Sequence, residues 1–336
     1  MGANLYVHFP FCRSKCAYCA LRSRPGSTDG DRADYVAGVA SRVRRLGSRL
    51  DGLKTVYFGG GTPALCDLSP LFDALAPRLG GDCEFTVELH PLDVGRGLLG
   101  TLRAGGVNRV SMGVQSLEDG VLAAMGRGYS AAQAARSFEM VRAAFDNAGI
   151  DLIAGYPGES ASLGTRMSGL GGWGLAHCSV YALQNERGLA DVPDDATALD
   201  RIAETAEFLD GIGLRRYEIS NYAVPGRECR HNMSVWRGED YFGLGEGAHG
   251  RLGLERTVDY LGPRAESETV SASADDTERR IFRLRTREGL DASGRPEWRP
   301  ALDRFAEEGL LTRDGDVYRL TPRGAEVCDA ILAEIV

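Results

Sequence analysis

No apolar run in this 336-residue chain approaches the length of a membrane span, and the N-terminus passes straight into a strand-like pattern with no signal-peptide core. Both absences predict a soluble, cytoplasmic protein. Surplus positive charge is missing too. The formal net charge is −8, which argues against a general nucleic-acid binder. Nor is there a disulfide framework: of eight cysteines, three crowd into one short loop, and Cys66, Cys83, Cys178, Cys229 and Cys328 are scattered. That pattern suits a reducing compartment in which the scattered thiols serve as small apolar residues. Apolar and charged fractions are ordinary for a globular protein, and the length allows one large domain plus a small one.

The crowded cysteines are Cys12, Cys16 and Cys19, spaced C-x3-C-x2-C directly after NLYVHFP. Three thiols cannot pair completely among themselves, and they fall short of the four ligands of a closed zinc site. Thiolates are the usual ligands of iron–sulfur clusters, and three ligands for four irons leave one iron open to a small molecule.

Short β-rich runs recur at 5–8, 55–58, 85–89, 109–112, 150–153 and 179–183, with helix-like stretches between most of them. Strand alternating with helix implies right-handed crossovers and a parallel sheet. Six such units predict an α/β fold, a partial (β/α)6 barrel over residues 1–220; an open doubly wound sheet is the alternative. A run at 216–220 suggests an added edge strand. The unusual positions gather at one end of this sheet, where barrel chemistry sits. Gly59, Gly60, Gly61 and Thr62 follow the second strand, Glu88 closes the third, Gln115 follows the fourth, and Asp151 lies on the fifth. Residues 221–260 read as a connection and 260–274 as a linker. Residues 275–336 read as a small winged-helix-like domain without a basic recognition face, expected to serve as a lid or docking surface over the barrel mouth.

With Tyr18 before its last cysteine, the loop resembles the radical S-adenosylmethionine (SAM) superfamily. LYVHFPFCRSKCAYC further resembles the oxygen-independent coproporphyrinogen III oxidase family and its heme-chaperone relative, HemW. The likeness continues through HCSVYAL, RRYEISNYAVPGRECRHNMSVW and DYFGLGEGAHG, so it covers nearly the whole chain. It implies a [4Fe–4S] cluster on Cys12, Cys16 and Cys19 with SAM on the open iron. The SAM contacts it implies are Tyr6, Tyr18, Gly60, Gly61, Thr62, Glu88, Gln115, Arg127 and Asp151. His90 is a departure, standing where the family has Asn or Asp.

The resemblance also implies a heme site. His231 opens an HNxxxW pattern that matches the heme-binding HNxxYW of the chaperones except for Val235 in the Tyr position. His231 is thus the expected axial ligand. Three functions stay open: a chaperone passing heme to a membrane acceptor, an oxidase decarboxylating a porphyrinogen, and a radical methylase or cyclopropanase. The oxidase pattern continues to a fourth cysteine, where Leu21 stands here, and it lacks HNxxxW. Both differences favour the chaperone.

Overall fold

The computed structural model describes residues 2–260 and 266–335. Its centre is six parallel strands: β1 (Asn4–Phe9), β2 (Leu53–Gly60), β3 (Leu79–Leu89), β4 (Arg109–Gln115), β5 (Asn147–Ala154) and β6 (His177–Ala182). They lie side by side in chain order, each hydrogen-bonded to the next. A doubly wound sheet needs a point where strand order reverses, and β1 to β6 have none. Among the described residues β1 and β6 do not pair with each other, since further strands continue the sheet beyond both. The sheet is therefore the expected partial barrel.

Parallel strands buried on both faces usually read as continuous apolar runs. Here they alternate. Leu5, Val7, Phe9, Val56, Phe58, Phe85, Val87, Val110, Met112, Ile150 and Val180 are almost wholly buried and share one core with the surrounding helices. Between them, by the two-residue period of a strand, stand Asn4, Tyr6, His8, Thr55, Tyr57, Glu84, Thr86, Glu88, Arg109, Ser111, Asp151, His177 and Ser179. One face of the sheet is apolar and covered by helices; the other is a polar lumen. The helices begin where their caps dictate: Thr28 with Asp31 and Ser130 with Gln133 form reciprocal capping boxes for Asp29–Leu46 and Ala131–Ala144. Among the described residues no helix is long and apolar enough to cross a membrane.

Residues 221–260 are more than a connection. Asn221–Ala223 pairs antiparallel to β6, and the short strand Arg215–Arg216 pairs with it, so the expected edge strand is the first arm of a hairpin. Tyr241–Leu244 joins β1 in parallel, and Ala248–Leu252 and Glu255–Asp259 follow as an antiparallel meander. Between these two sets sits a short helix, Arg230–Trp236, at the floor of the barrel. Glu84 on β3 accepts hydrogen bonds from the backbone N–H of Arg230 (2.9 Å) and His231 (3.0 Å) and from Cys229 Sγ (3.6 Å). A carboxylate at a helix N-terminus satisfies donors that the helix itself cannot.

Part of the expected linker, residues 261–265, lies outside the described residues. The remainder is ordered structure: Glu266–Thr269 is a fourth strand of the meander, and Ser271 caps the helix Ala272–Leu284. The C-terminal residues build their own core around Leu284, Leu290, Trp298, Leu302, Phe305, Tyr318 and Ile331. Their three-stranded antiparallel sheet and short helices match the winged-helix-like expectation. The position differs from that of a lid. Trp236 of the floor helix packs edge-on against Phe282 at 5.8 Å, Arg237 Nε donates to Glu288 at 2.8 Å, and Glu218 forms an isolated bridge with Thr286. The small unit is docked beneath the barrel, not over its mouth.

Removing the Glu84 carboxylate strands the N-terminal donors of the floor helix. Glu84→Ala should lower the unfolding free energy by about 1.5–3 kcal/mol, the range for hydrogen bonds to a charged group. Urea denaturation measures this, with Asp82→Ala as the comparison because Asp82 is almost fully exposed. Equal losses in the two variants would refute this account of the floor.

Candidate active site at the barrel mouth

After β1 the chain forms a two-residue ladder, Phe11–Cys12 against Arg24–Pro25, so the three cysteines share one closed loop. All three are free thiols and half-buried. The loop is fastened to the glycine turn after β2: Gly61 N–H donates to Phe9 C=O at 2.6 Å and Thr62 N–H to Phe11 C=O at 2.7 Å. A Cβ on Gly61 would lie 2.4 Å from the Phe11 carbonyl oxygen and 3.0 Å from Cys12 Sγ. Gly60 has φ +104°, and a Cβ there would fall 2.4 Å from the His8 ring. Bare glycine is required at both positions so that the cysteine loop can lie against the turn. Further fastenings come from Lys15 Nζ to Ser23 Oγ (3.0 Å), Arg13 Nε to Asp93 (2.8 Å) and Ala17 N–H to the Met125 carbonyl (3.2 Å).

Among the described residues no three His, Cys, Asp or Glu side chains converge as a single metal ion would need. A cubane makes a different demand, because each thiolate binds its own iron. Three cysteines on one fastened loop, without a fourth thiol in it, fit that demand. Burial raises the Cys12 thiol pKa, and nearby Cys19 and Cys16 raise it further, so the three sulfurs feel one another.

Facing the loop are two carboxylates. Glu88 accepts from Tyr57 Oη at 2.8 Å and from Gly60 N–H at 3.0 Å. Burial, reinforced by Asp151, pushes its pKa up to about 7. Asp151 accepts from Ser111 Oγ at 3.0 Å, and burial raises its pKa also. Gln115 closes β4 with φ 72°, a left-handed conformation uncommon outside glycine. A register shift between Gly113 and Gln115 accompanies it. Its amide turns back over Gly113, where an added Cβ would meet Nε2 at 2.7 Å.

Arg127 is buried and fully engaged. Its Nη1 donates to Cys16 Sγ (3.3 Å), Nη2 to the Gly113 carbonyl (2.6 Å) and Nε to Tyr129 Oη (2.9 Å). Tyr18 stands edge-on to Tyr156 at 6.5 Å beside the loop. Tyr6 lies a step deeper in the lumen, level with Tyr57, its hydroxyl 3.0 Å from His8 Nδ1. His90 takes a local role: its Nδ1 accepts from Leu92 N–H at 3.2 Å and its ring meets Tyr129 edge-on. Burial and nearby Arg127 bring its pKa down to about 3, so it stays neutral. His8, Tyr57 and Tyr129 belong to the site although no motif singled them out. Their signal was strand alternation with Tyr6 and Glu88, and the shared turn with Arg127.

His231, the expected axial ligand, is placed apart from the mouth. It sits at the opposite end of the strands with 4% of its surface exposed. Its Nδ1 is 2.8 Å from Thr55 Oγ1, whose proton goes to Asn4 Oδ1 at 2.9 Å. The ring lies 5.3 Å from that of Tyr57, and burial lowers its pKa to about 3. Glu84 fixes the first turn of the floor helix and so draws this imidazole into the lumen. As folded, it does not present itself to a porphyrin.

The Glu88 shift has a consequence for stability. A carboxyl whose folded pKa exceeds its ordinary value stabilises the fold below that ordinary value, and the contribution is lost as pH rises through the folded pKa. The ligand-free protein should therefore lose stability between about pH 4.5 and 7, and Glu88→Gln should show a flatter profile and exceed wild type at neutral pH. Urea midpoints across that window measure this; coincident profiles would contradict the assignment.

Comparison with known proteins agrees with this geometry. A family model described as the radical SAM superfamily matches residues 6–162. The heme chaperone HemW of Mycobacterium tuberculosis H37Rv is 32% identical, the alignment covering 99% of this chain and 94% of that protein. HemW of Escherichia coli K12 is 30% identical, with 98% and 97% covered. The solved coproporphyrinogen III oxidase HemN of Escherichia coli, a radical SAM enzyme, has a TM-score of 0.85 over 99% of this chain and 89% of its own, at 20% identity. That last likeness establishes the fold. With the cysteine loop, the glycine turn and the polar lumen, these matches show that the chain belongs to the radical SAM superfamily, within the HemW family of heme chaperones.

Proposed function

We propose that this protein is a HemW-type heme chaperone that carries a [4Fe–4S] cluster and SAM at the barrel mouth, binds heme, and passes it to an acceptor protein at the membrane. The observation that carries this reading over the oxidase is the cysteine loop. Leu21, 54% exposed, occupies the place of the oxidase's fourth cysteine. The names of the relatives at 30–32% identity support the same choice.

In this reading Cys12, Cys16 and Cys19 hold the cluster, which when bound supplies one electron to the sulfonium of SAM. Glu88 and Asp151 accept hydrogen bonds from the ammonium and hydroxyl groups of SAM. Ligand binding of that kind offsets the cost of burying two neighbouring carboxylates, because each gains a donor. Gly60, Gly61 and Thr62 let the ligand approach the backbone, Gln115 lends its amide, and Tyr18 covers the site. Tyr6 acts from below through His8. Heme ligation by His231 demands that the floor helix leave Glu84 and Thr55.

Anaerobic reconstitution tests the reading. Replacing Cys12, Cys16 or Cys19 by Ala should abolish the charge-transfer absorbance, whereas replacing Cys66, Cys83, Cys178, Cys229 or Cys328 should keep it. Wild type should bind hemin and leave coproporphyrinogen III unreacted. In the resting fold the Soret band of His231→Ala should match that of wild type; a shifted band would mean that the floor helix releases its histidine. Decarboxylation of coproporphyrinogen without heme binding would replace the chaperone with the oxidase.

A further inference from the structure

Arg127 lies between Gly126 and Gly128, whose φ angles are +76° and +70°. This turn sends the side chain back over the end of β4, and the neighbouring Met125 carbonyl receives Ala17 N–H from the cysteine loop. The guanidinium is therefore held against that loop from one fixed direction. A guanidinium keeps its charge at any accessible pH, and a buried charge is costly unless it meets a negative partner. The Arg127 side chain is in hydrogen-bond contact with Tyr129 Oη and Cys16 Sγ, while the Asp151 carboxylate feels its charge without a hydrogen bond between them. Cys16, as a cluster-bound thiolate, is the partner that completes the pair.

We propose that Arg127 tunes the reduction potential of the cluster, acting through its Nη1–H donation to Cys16 Sγ. This rests on the cluster reading of Cys12, Cys16 and Cys19. Reduction adds one electron and makes the cluster more negative, so a buried cation one hydrogen bond from a ligand sulfur stabilises the reduced form more than the oxidised one. Hydrogen bonds to sulfur and local charge are established determinants of iron–sulfur potentials. Arg127 is a positioning residue in this role. The role is separate from any contact with the SAM carboxylate, because it persists when SAM is absent. The other nitrogens reinforce it: Nε on Tyr129 and Nη2 on Gly113 fix the fork so that Nη1 points at sulfur.

The test is a mediated redox titration of the reconstituted protein without SAM, reduced with dithionite and followed by the EPR signal of the reduced cluster. Iron and sulfide are counted in the same samples. Arg127→Met should carry as much iron as wild type and titrate at lower potential; Arg127→Lys, which keeps the charge but loses the planar fork, should fall between them. Arg136→Met removes an exposed charge from the helix Ala131–Ala144 and should leave the potential where it is. An unshifted potential in Arg127→Met overturns the proposal, as does an equal shift in Arg136→Met. If Arg127→Met fails to assemble the cluster, Arg127→Lys decides: a lowered potential at full iron supports the proposal and an unshifted one overturns it. Absence of iron from wild type would instead overturn the cluster reading, a distinguishable failure.

Discussion

Two backbone hydrogen bonds, Gly61 to Phe9 and Thr62 to Phe11, hold the mouth of this barrel together. They tie the exit of β1 to the exit of β2, and everything that faces the mouth takes its position from that tie. The cysteine loop begins at Phe11, so its first ligand is placed relative to the sheet rather than left on a free loop. The same turn presents Gly60 N–H to Glu88, which in turn accepts from Tyr57. The cysteine loop and Glu88 are thereby linked through three backbone N–H donors of one turn, Gly60, Gly61 and Thr62. Sites built on rigid elements hold their geometry better than sites on loops, and here a loop borrows its rigidity from two strands.

The polar lumen makes the opposite demand. Glu88, Asp151, Arg109 and Arg127 sit where apolar side chains would be less costly. The outward face offsets that cost with a continuous core from Leu5 through Val180. A fold that buries two carboxylates, with Asp151 close enough to raise the pKa of Glu88, is arranged for a ligand that donates to both. Perturbed titratable groups clustered in a cleft are the usual mark of such a site.

Much of this was legible in the chain itself. Six β-rich runs in order, with helix-like stretches between most of them, describe β1 to β6, and the polar positions at their ends describe the mouth. What stayed hidden depends on partners far away in sequence. The resemblance implies Arg127 as a SAM contact, but nothing in the sequence places it beside Cys16, 111 residues earlier. Gln115 carries no signal for its positive φ, because glutamine is not a residue of left-handed turns; the bulge in β4 imposes it. Tyr241–Leu244 looked like part of a motif, and only the unpaired side of β1 makes it a sheet strand. The burial of His231 was hidden for the same reason. HNxxxW names residue types at a spacing and is silent about which side of the helix is captured, and the captor, Glu84, lies 147 residues away.

That capture changes what the motif means. Its histidine points into the barrel, bonded to Thr55, and its tryptophan points outward onto Phe282 of the C-terminal unit. The short helix between them is therefore a joint with one end in each body. Freeing His231 for a metal sacrifices the donors held by Glu84 as well as the bond to Thr55, and each buried hydrogen bond to a charged group contributes about 1.5–3 kcal/mol. Against a total stability of roughly 5–15 kcal/mol, that is too large a loss to occur without compensation. A heme bound through this histidine must supply it, and because Trp236 moves with the same helix, the C-terminal unit would register the event. Were heme to load at HNxxxW, its binding and the docking of the C-terminal unit would be one equilibrium, coupled through seven residues of helix.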